Sequence, residues 1–258
     1  MLQLKSFAVD LARKSGALLK EKFSQTHQIH YKGEINIVTE ADKMSEDLII
    51  AAINRKFPDH GILSEESPMI KGAGKLRWII DPLDGTTNYA HGYPVFCVSI
   101  ALEKEGEIVL GAVYDPMREE MFIAVRNEGA YLNDKKIAVS RTDNISRSLL
   151  ATGFPYDIRE SKENNLDYFN AMAVNVQAIR RAGAAALDLA YLAAGRFDGF
   201  WELKLKPWDT AAGCLLVTEA GGTISDIAGG KWNLYSPNLL ASNSLIHEQM
   251  IKVLSSKG

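Results

Sequence analysis

The sequence predicts a mixed α/β protein built in layers, and three observations predict it. Helical periodicity opens the chain. Short β-rich segments separated by tight turns fill the middle. From Ser148 onward strands and helices alternate, the pattern of stacked α and β layers. With 258 residues, 47% of them hydrophobic, the chain can bury a sizeable core as one large domain or two packed ones.

Leu4, Phe7, Ala8, Leu11, Leu18 and Leu19 recur near helical spacing and predict an amphipathic helix over about 3–23. Ile35 to Val38 reads as a short strand. Thr39-Glu40-Ala41-Asp42 then looks like a helix start, with Thr39 as N-cap and an acid three positions on. That helix runs to about Phe57, where Pro58-Asp59 stops it. Ile62-Leu63 is a short strand leading into Ser64-Glu65-Glu66-Ser67, Gly72-Ala73-Gly74 is loop, and Leu76 to Ile80 is a buried strand.

Four β segments follow, Val95–Leu102, Ile108–Tyr114, Met121–Val125 and Gly129–Leu132. Turns at Glu105-Gly106 and Asn133-Asp134 make this block an antiparallel meander. Beyond it lie a strand (Leu149–Thr152), a helix over about Lys162–Asn175, a strand (Ala178–Arg180) and a helix over about Ala184–Ala194. A strand near Phe200–Glu202 and a helix from Asp209 to Ala220 close the pattern, with Gly221-Gly222 as the stop. Polar residues 140–147 divide the chain, so halves 1–143 and 144–258 are expected to pack as one compact unit. There are no repeats or low-complexity tracts.

The net charge of −3 and a pI near 6.0 give no basic excess for nucleic acid, with Arg180-Arg181 the kind of local patch that stays open. Cys97 and Cys214 sit among apolar residues and read as reduced core thiols. Asp10, Lys14 and Glu21 interrupt the first apolar stretch, which fits neither a signal peptide nor a membrane span; a soluble cytoplasmic protein is expected.

The stretch Asp81-Pro82-Leu83-Asp84-Gly85-Thr86-Thr87-Asn88 carries the most chemistry. Two acids stand at the end of a buried strand, a position carboxylates rarely take unless positive charge meets them. A divalent cation is the natural candidate, because hard cations take oxygen ligands. Gly85-Thr86 adds backbone N–H groups and a hydroxyl suited to phosphate. Glu65-Glu66 and Asp209 supply two further acidic stations at element junctions. Without cations such a set would repel itself, whereas Mg²⁺ uses a few carboxylates plus substrate phosphate.

On these residues the chain resembles the inositol monophosphatase superfamily of Mg²⁺-dependent, lithium-sensitive phosphatases. The carrying motifs are Glu65-Glu66-Ser67, Trp78-Ile79-Ile80-Asp81-Pro82-Leu83-Asp84-Gly85-Thr86-Thr87-Asn88, and Pro207-Trp208-Asp209-Thr210-Ala211-Ala212-Gly213 continuing to Glu219-Ala220-Gly221-Gly222. Gly111-Ala112-Val113-Tyr114-Asp115-Pro116 and Gly183-Ala184-Ala185-Ala186 also look like the family. The resemblance implies a layered αβαβα sandwich and a homodimer. It implies two to three Mg²⁺ ions, held by Glu65, Asp81, the Leu83 carbonyl, Asp84 and Asp209. Gly85 and Thr86, with Asp84, would meet the phosphate. Asp42 and Thr86, with Glu65, would orient and deprotonate an attacking water. Gly183, Ala185 and Glu202 would meet the hydroxyl-bearing part of a phosphorylated polyol or sugar.

The implied reaction is in-line attack of a metal-activated water on a phosphate monoester, myo-inositol 1-phosphate first, fructose 1,6-bisphosphate second. A role beside transcription or ribosomal RNA, seen in some bacterial relatives, is a third reading from a different class. Lys206-Pro207 stands where animal members carry His-Cys, a departure at the pocket rim that bears on substrate. Plainer readings stand beside these: Asp42 and Asp209 as helix-capping acids, Glu66 as a solvated neighbour, Asp115 as a turn acid, Trp208 as packing for Asp209. The five histidines show no ligand spacing and read as surface or packing residues, and Arg180-Arg181 as a solvated pair or an interface. Phe154-Pro155-Tyr156 begins a loop that could line the pocket. A second phosphate would look for Lys204 or Lys206, and Glu202 favours a neutral polyol.

Overall fold

Helix α1 (Leu2–Phe23) opens the chain, with Ala8, Leu11, Ala12, Ser15, Gly16 and Leu19 buried on one face. The computed structural model describes residues 1–23, 29–31 and 37–256. Strands β1 (Ile29–Tyr31) and β2 (Ile37–Thr39) form a two-stranded antiparallel ribbon. The strand expected at Ile35–Val38 corresponds to β2, and its first two positions lie outside the described residues. Helix α2 (Glu40–Lys56) starts where Thr39 and Asp42 predicted, with Thr39 as N-cap.

The next seven strands form one sheet: β3 (Gly61–Ser64), β4 (Leu76–Asp84), β5 (Cys97–Lys104), β6 (Glu107–Asp115), β7 (Glu120–Val125), β8 (Gly129–Leu132) and β9 (Lys135–Lys136). Their order is sequential; β3 pairs parallel to β4 and the rest is an antiparallel meander, as the turn residues indicate. The five-residue helix α3 (Thr86–Ala90) lies between β4 and β5.

After a 3₁₀ turn at Ile145–Arg147, a five-stranded sheet follows in the order β11-β10-β12-β14-β13. Its strands are β10 (Leu149–Thr152), β11 (Ala178–Arg180), β12 (Gly199–Glu202), β13 (Thr223–Ser225) and β14 (Leu239–Ser242). Both neighbours of β10 run parallel to it, and β14 pairs antiparallel with β12 and β13. The accompanying helices are α4 (Leu166–Ala173), α5 (Ala185–Ala193), α6 (Pro207–Glu219) and α7 (His247–Ser255).

Alternation along the strands sorts the core into three shells and so builds five layers. In β4, Trp78 and Ile80 face α1 and α2, whereas Ile79 faces α5 and α6. In β12, Phe200 faces α5 and α6, whereas Trp201 faces Met172 of α4 and Met250 of α7. The result is an α+β sandwich ordered α(α1, α2)–sheet–α(α5, α6)–sheet–α(α4, α7). No helix among the described residues is long and apolar enough to cross a membrane.

Two elements differ from expectation for identifiable reasons. Helix α4 begins at Leu166 rather than near Lys162, because Asn165 takes a left-handed backbone (φ 71°) and uses its side chain elsewhere. Strand β4 runs on through Pro82 to Asp84, and its pairing with β5 shifts register between Asp81 and Asp84. A bulge is where a sheet tolerates proline.

Candidate active site

The register shift in β4 decides where the acids point. Residues three apart on a regular strand face opposite sides of a sheet. Here Asp81 pairs with Ser99 and Asp84 with Cys97, two positions apart on β5, so one extra residue is absorbed and both acids face the α5–α6 layer. Asp81 Oδ1 accepts from Leu83 N–H (3.0 Å), and Asp84 Oδ2 accepts from Ala186 N–H at the start of α5 (2.8 Å). Gly85 then turns the chain with φ 97°, where an added Cβ would lie 2.9 Å from the Val95 carbonyl oxygen.

Both acids line one cavity of about 530 Å³. Glu65, Leu83, Gly85, Thr86, Gly183, Ala185, Glu202 and Asp209 line it as well, so it gathers all the predicted residues except Asp42, which reaches it through Thr86. Asp209 arrives on the first turn of α6, where its Oδ2 accepts from Lys206 N–H (2.6 Å), so it is a helix-capping acid and a cavity acid at once. Glu65 follows β3 in a turn that Glu46 of α2 holds, accepting from Glu66 N–H (3.1 Å) and from the Ser67 hydroxyl. A second groove, about 580 Å³ between α1 and α2, is lined by Phe7, Leu11, Leu48 and neighbouring charges and lies away from these acids.

Burial and mutual repulsion make the set electron-rich. Burial first, then the fields of Glu65, Asp84 and Asp209, push Asp81 well above the carboxylate range. Burial raises Asp84 to about 6 against hydrogen bonds from Ala186 and Cys97, and raises Asp209 to about 8 against the Lys206 N–H. Among the described residues no three His, Cys, Asp or Glu side chains enclose an ion by themselves. Four oxygen-donor acids around one open volume, with no nitrogen or sulfur donor in the set, fit a hard divalent cation whose shell waters and phosphate oxygens complete.

Asp42 is reached through Thr86. Thr86 Oγ1 donates to Asp42 Oδ1 (2.9 Å) and lies 3.1 Å from the Leu83 carbonyl oxygen. The other oxygen, Asp42 Oδ2, accepts from Thr39 N–H (2.8 Å) and the Thr39 hydroxyl (2.6 Å). The capping reading and the site reading therefore hold together. Burial raises Asp42 above its ordinary value, although the Thr39 and Thr86 bonds pull it back.

Several supporting residues were given no role from the sequence. Asn88 Nδ2 donates to the carbonyls of Val95 (2.7 Å) and Ala182 (2.8 Å), tying α3 to the turn before α5. Asn165 bonds Thr152 Oγ1 (2.9 Å) and the Gly153 carbonyl (2.6 Å) and accepts from Trp201 Nε1 (2.7 Å), fixing the ends of β10 and β12. Asp115 is more than a turn acid, since it also accepts from the Tyr191 hydroxyl of α5 (3.0 Å). Phe154, Pro155 and Tyr156 do line the cavity.

Three expectations need correction or narrowing. Arg180 and Arg181 are both exposed, as a solvated pair would be, but Arg181 also lines the cavity. Lys204 is engaged, with Nζ 2.6 Å from Asp157 Oδ2 and 2.7 Å from Ser161 Oγ, so it is less open to a second phosphate. Cys97 is a buried thiol, as expected, but its Sγ also lies 3.5 Å from Asp84 Oδ2. His60 and His247 are packing residues bonded to Trp78 and to Ser242 and Ser225 respectively, and His91 is exposed. The side chains of His27 and His30 lie outside the described residues.

A five-layer α+β sandwich with an acid-rich cavity fits a phosphoric monoester hydrolase, and the family match makes it one. Residues 1–258 match the inositol monophosphatase family, and the chain belongs to it. Members of this family are in general Mg²⁺-dependent. The chain is 41% identical over 249 residues to an inositol-1-monophosphatase of Mesorhizobium japonicum, covering 95% of this chain and 94% of that one. It is 43% identical over 241 residues to the Nus factor SuhB of Vibrio cholerae, covering 92% and 90%. The solved inositol monophosphatase of Anabaena (Nostoc) superposes with a TM-score of 0.91 at 40% identity, covering 100% and 97%.

Proposed function

We propose that this phosphatase hydrolyses the phosphate monoester of a neutral polyol, with myo-inositol 1-phosphate as its substrate, in a Mg²⁺-dependent reaction. One observation carries the reading: a single cavity holds both an acidic cage and a half-buried carboxyl, Glu202. Glu65, Asp81, the Leu83 carbonyl, Asp84 and Asp209 are the oxygen donors that would hold two to three Mg²⁺ ions. Bound there, Mg²⁺ supplies Lewis-acid charge neutralisation and lowers the pKa of water.

The chain's own residues do the rest. Thr86 donates its hydroxyl hydrogen bond to Asp42, which leaves lone pairs on Oγ1 to accept a hydrogen bond from an attacking water and fix its direction. Asp42, raised by burial, receives the proton relayed through Thr86. Gly85 and Thr86 present backbone N–H groups to the phosphate, with Asp84 beside them. Gly183, Ala185 and Glu202 meet the polyol. Burial first, then Asp188 and Asp84, raise Glu202 to about 8, so near neutral pH it is largely an uncharged acid that both donates to and accepts from hydroxyls.

The test is phosphate release from myo-inositol 1-phosphate, fructose 1,6-bisphosphate and 3′-phosphoadenosine 5′-phosphate, with and without Mg²⁺. Mg²⁺-dependent release led by the inositol ester supports the reading; preference for the bisphosphate would move the assignment to a fructose bisphosphatase, with Arg181 as the cation that meets the second phosphate. A cytoplasmic homodimer inhibited by lithium is part of the same proposal, checked by light scattering and LiCl titration.

The relatives named Nus factor SuhB favour a second role, association with transcription machinery or RNA. Arg141, Arg147, Arg180 and Arg181 are exposed, and such a role would draw on them. An RNA mobility shift that weakens with salt supports it, and no shift at low salt removes it.

A further inference from the structure

Helix α5 is apolar and buried from Ala185 to Ala190, yet it carries an acid in its middle. Asp188 is 2% exposed. Its Oδ1 is fully buried and has no hydrogen-bond partner, one of four such side-chain atoms among the described residues. An unpaired buried carboxylate is strongly unfavourable. Position in the first turn of α5 offsets only a small part of that through the helix dipole. No ion pair among the described residues includes Asp188, and Arg181 acts on it only as a more distant charge. A fold that gained nothing from this acid would be better served by leucine at the same place.

The place explains the acid. Asp188 lines the cavity on the side of Gly183, Ala185 and Glu202. Glu202 enters at the end of β12, and its carboxyl lies over Gly153 so closely that any Cβ there would overlap it. Two carboxyl groups thus border the volume next to the acidic cage. Asp188 Oδ1 is closed off from it, so the other oxygen, which accepts no hydrogen bond among the described residues, is the one a ligand hydroxyl would meet.

We infer that Asp188 is a specificity-determining residue: together with Glu202 it receives hydrogen bonds from neighbouring hydroxyls of the polyol leaving group, and it disfavours an anionic group at that place. This rests on the polyol phosphatase reading above. Hydroxyls are the matching chemistry because each brings a donor to a waiting acceptor and no charge. A second phosphate or a carboxylate brings no donor for that acceptor and adds negative charge beside the acidic cage, so the same place works against bisphosphates. A site built to bond a hydroxyl also rejects analogues that lack it, since its own polar groups are then left unmet.

The test compares wild type with Asp188→Leu, which keeps the branched shape, and Asp188→Asn, which keeps the fold if leucine does not. Kinetics are measured on myo-inositol 1-phosphate and on p-nitrophenyl phosphate, which has no hydroxyls to read. The expected result is a rise of about tenfold in KM for the inositol ester with kcat within about twofold. The ratio of kcat/KM between the two substrates should fall by about the same factor, while the melting temperature holds or rises. A merely structural acid would give a lower melting temperature and equal losses on both substrates, and that outcome overturns the inference. Unchanged KM for the inositol ester in both variants, beside an active wild type, overturns it alone. Wild-type enzyme active on p-nitrophenyl phosphate but on no polyol phosphate overturns the parent reading and this one with it.

Discussion

Asp84 and Ala186 stand 102 positions apart in sequence and meet through a 2.8 Å hydrogen bond from the Ala186 N–H to Asp84 Oδ2. The bond locks the bulged end of β4 to the start of α5, so the strand acids and the substrate-facing turn share one frame. Asparagine at position 84 keeps an acceptor for that N–H and removes the charge. Asp84→Asn should therefore fold normally and lose Mg²⁺-dependent phosphate release by at least about 100-fold, beyond what outer-shell partners usually contribute. Its melting temperature in EDTA should rise, because a buried, repelled carboxylate is gone. Activity within a few-fold of wild type would remove Asp84 from the proposed ligand set.

The same repulsion makes stability depend on divalent cations. Asp81 is raised by burial and then by the fields of Glu65, Asp84 and Asp209, and a bound cation would offset that repulsion. Chelation should lower the melting temperature and Mg²⁺ should restore it progressively. At a free concentration 100 times Kd the gain is about 2.7 kcal/mol per site, or several degrees for a chain of this size. Differential scanning calorimetry across a Mg²⁺ series checks this, and superimposed curves from EDTA to millimolar Mg²⁺ would contradict it.

Much of this architecture could be read before the structure, and the exceptions have physical causes. Alternation in β5 to β8 and the turn residues at Glu105-Gly106 and Asn133-Asp134 are local signals, and those strands formed almost as expected. The acids at 65, 81, 84 and 209 were legible through motifs and share a cavity. What could not be read was direction. Pro82 is the one local hint that β4 bulges, and only the bulge turns Asp81 and Asp84 to one side. Asn165, Asn88 and Glu46 act on partners that are distant in sequence, so no spacing reveals them. Strand β14 and helix α7 went unread, although the Leu239-Leu240-Ala241 run and the buried His247, Met250 and Leu254 carry ordinary strand and helix signals.

Glu202 predicts a pH dependence of stability. Its pKa is raised from 4.5 to about 8, chiefly by burial. A folded-state pKa above the unfolded one means that the folded chain keeps a proton which the unfolded chain releases. The contribution is complete below about pH 4.5 and is lost as pH rises through about 8. In EDTA the melting temperature should fall across this window. Asp84 and Asp209, raised to about 6 and about 8, act in the same direction, so Glu202→Gln should flatten the slope without removing it. An identical slope in the variant would mean that Glu202 does not hold the raised proton described here. Gly153→Ala should displace the Glu202 carboxyl and raise KM for the inositol ester more than for p-nitrophenyl phosphate.

Thr39 should matter to catalysis although it never touches the cavity. Its N–H and hydroxyl both donate to Asp42 Oδ2, which leaves Oδ1 for Thr86 and fixes the carboxylate plane. Thr39→Ala removes one of the two Thr39 donors and weakens the start of α2. The stability loss should be about 1 kcal/mol, as for other N-caps, or roughly 2–4 °C in melting temperature at this chain length. Catalysis should fall further than stability explains, through kcat rather than KM, because in the proposed mechanism Asp42 serves the attacking water and not the polyol. Serine restores both the cap and the donor, so Thr39→Ser should recover most of kcat. A Thr39→Ala enzyme with wild-type kcat would mean that Thr86 alone orients Asp42, and that the coupling of the cap to the site is structural only.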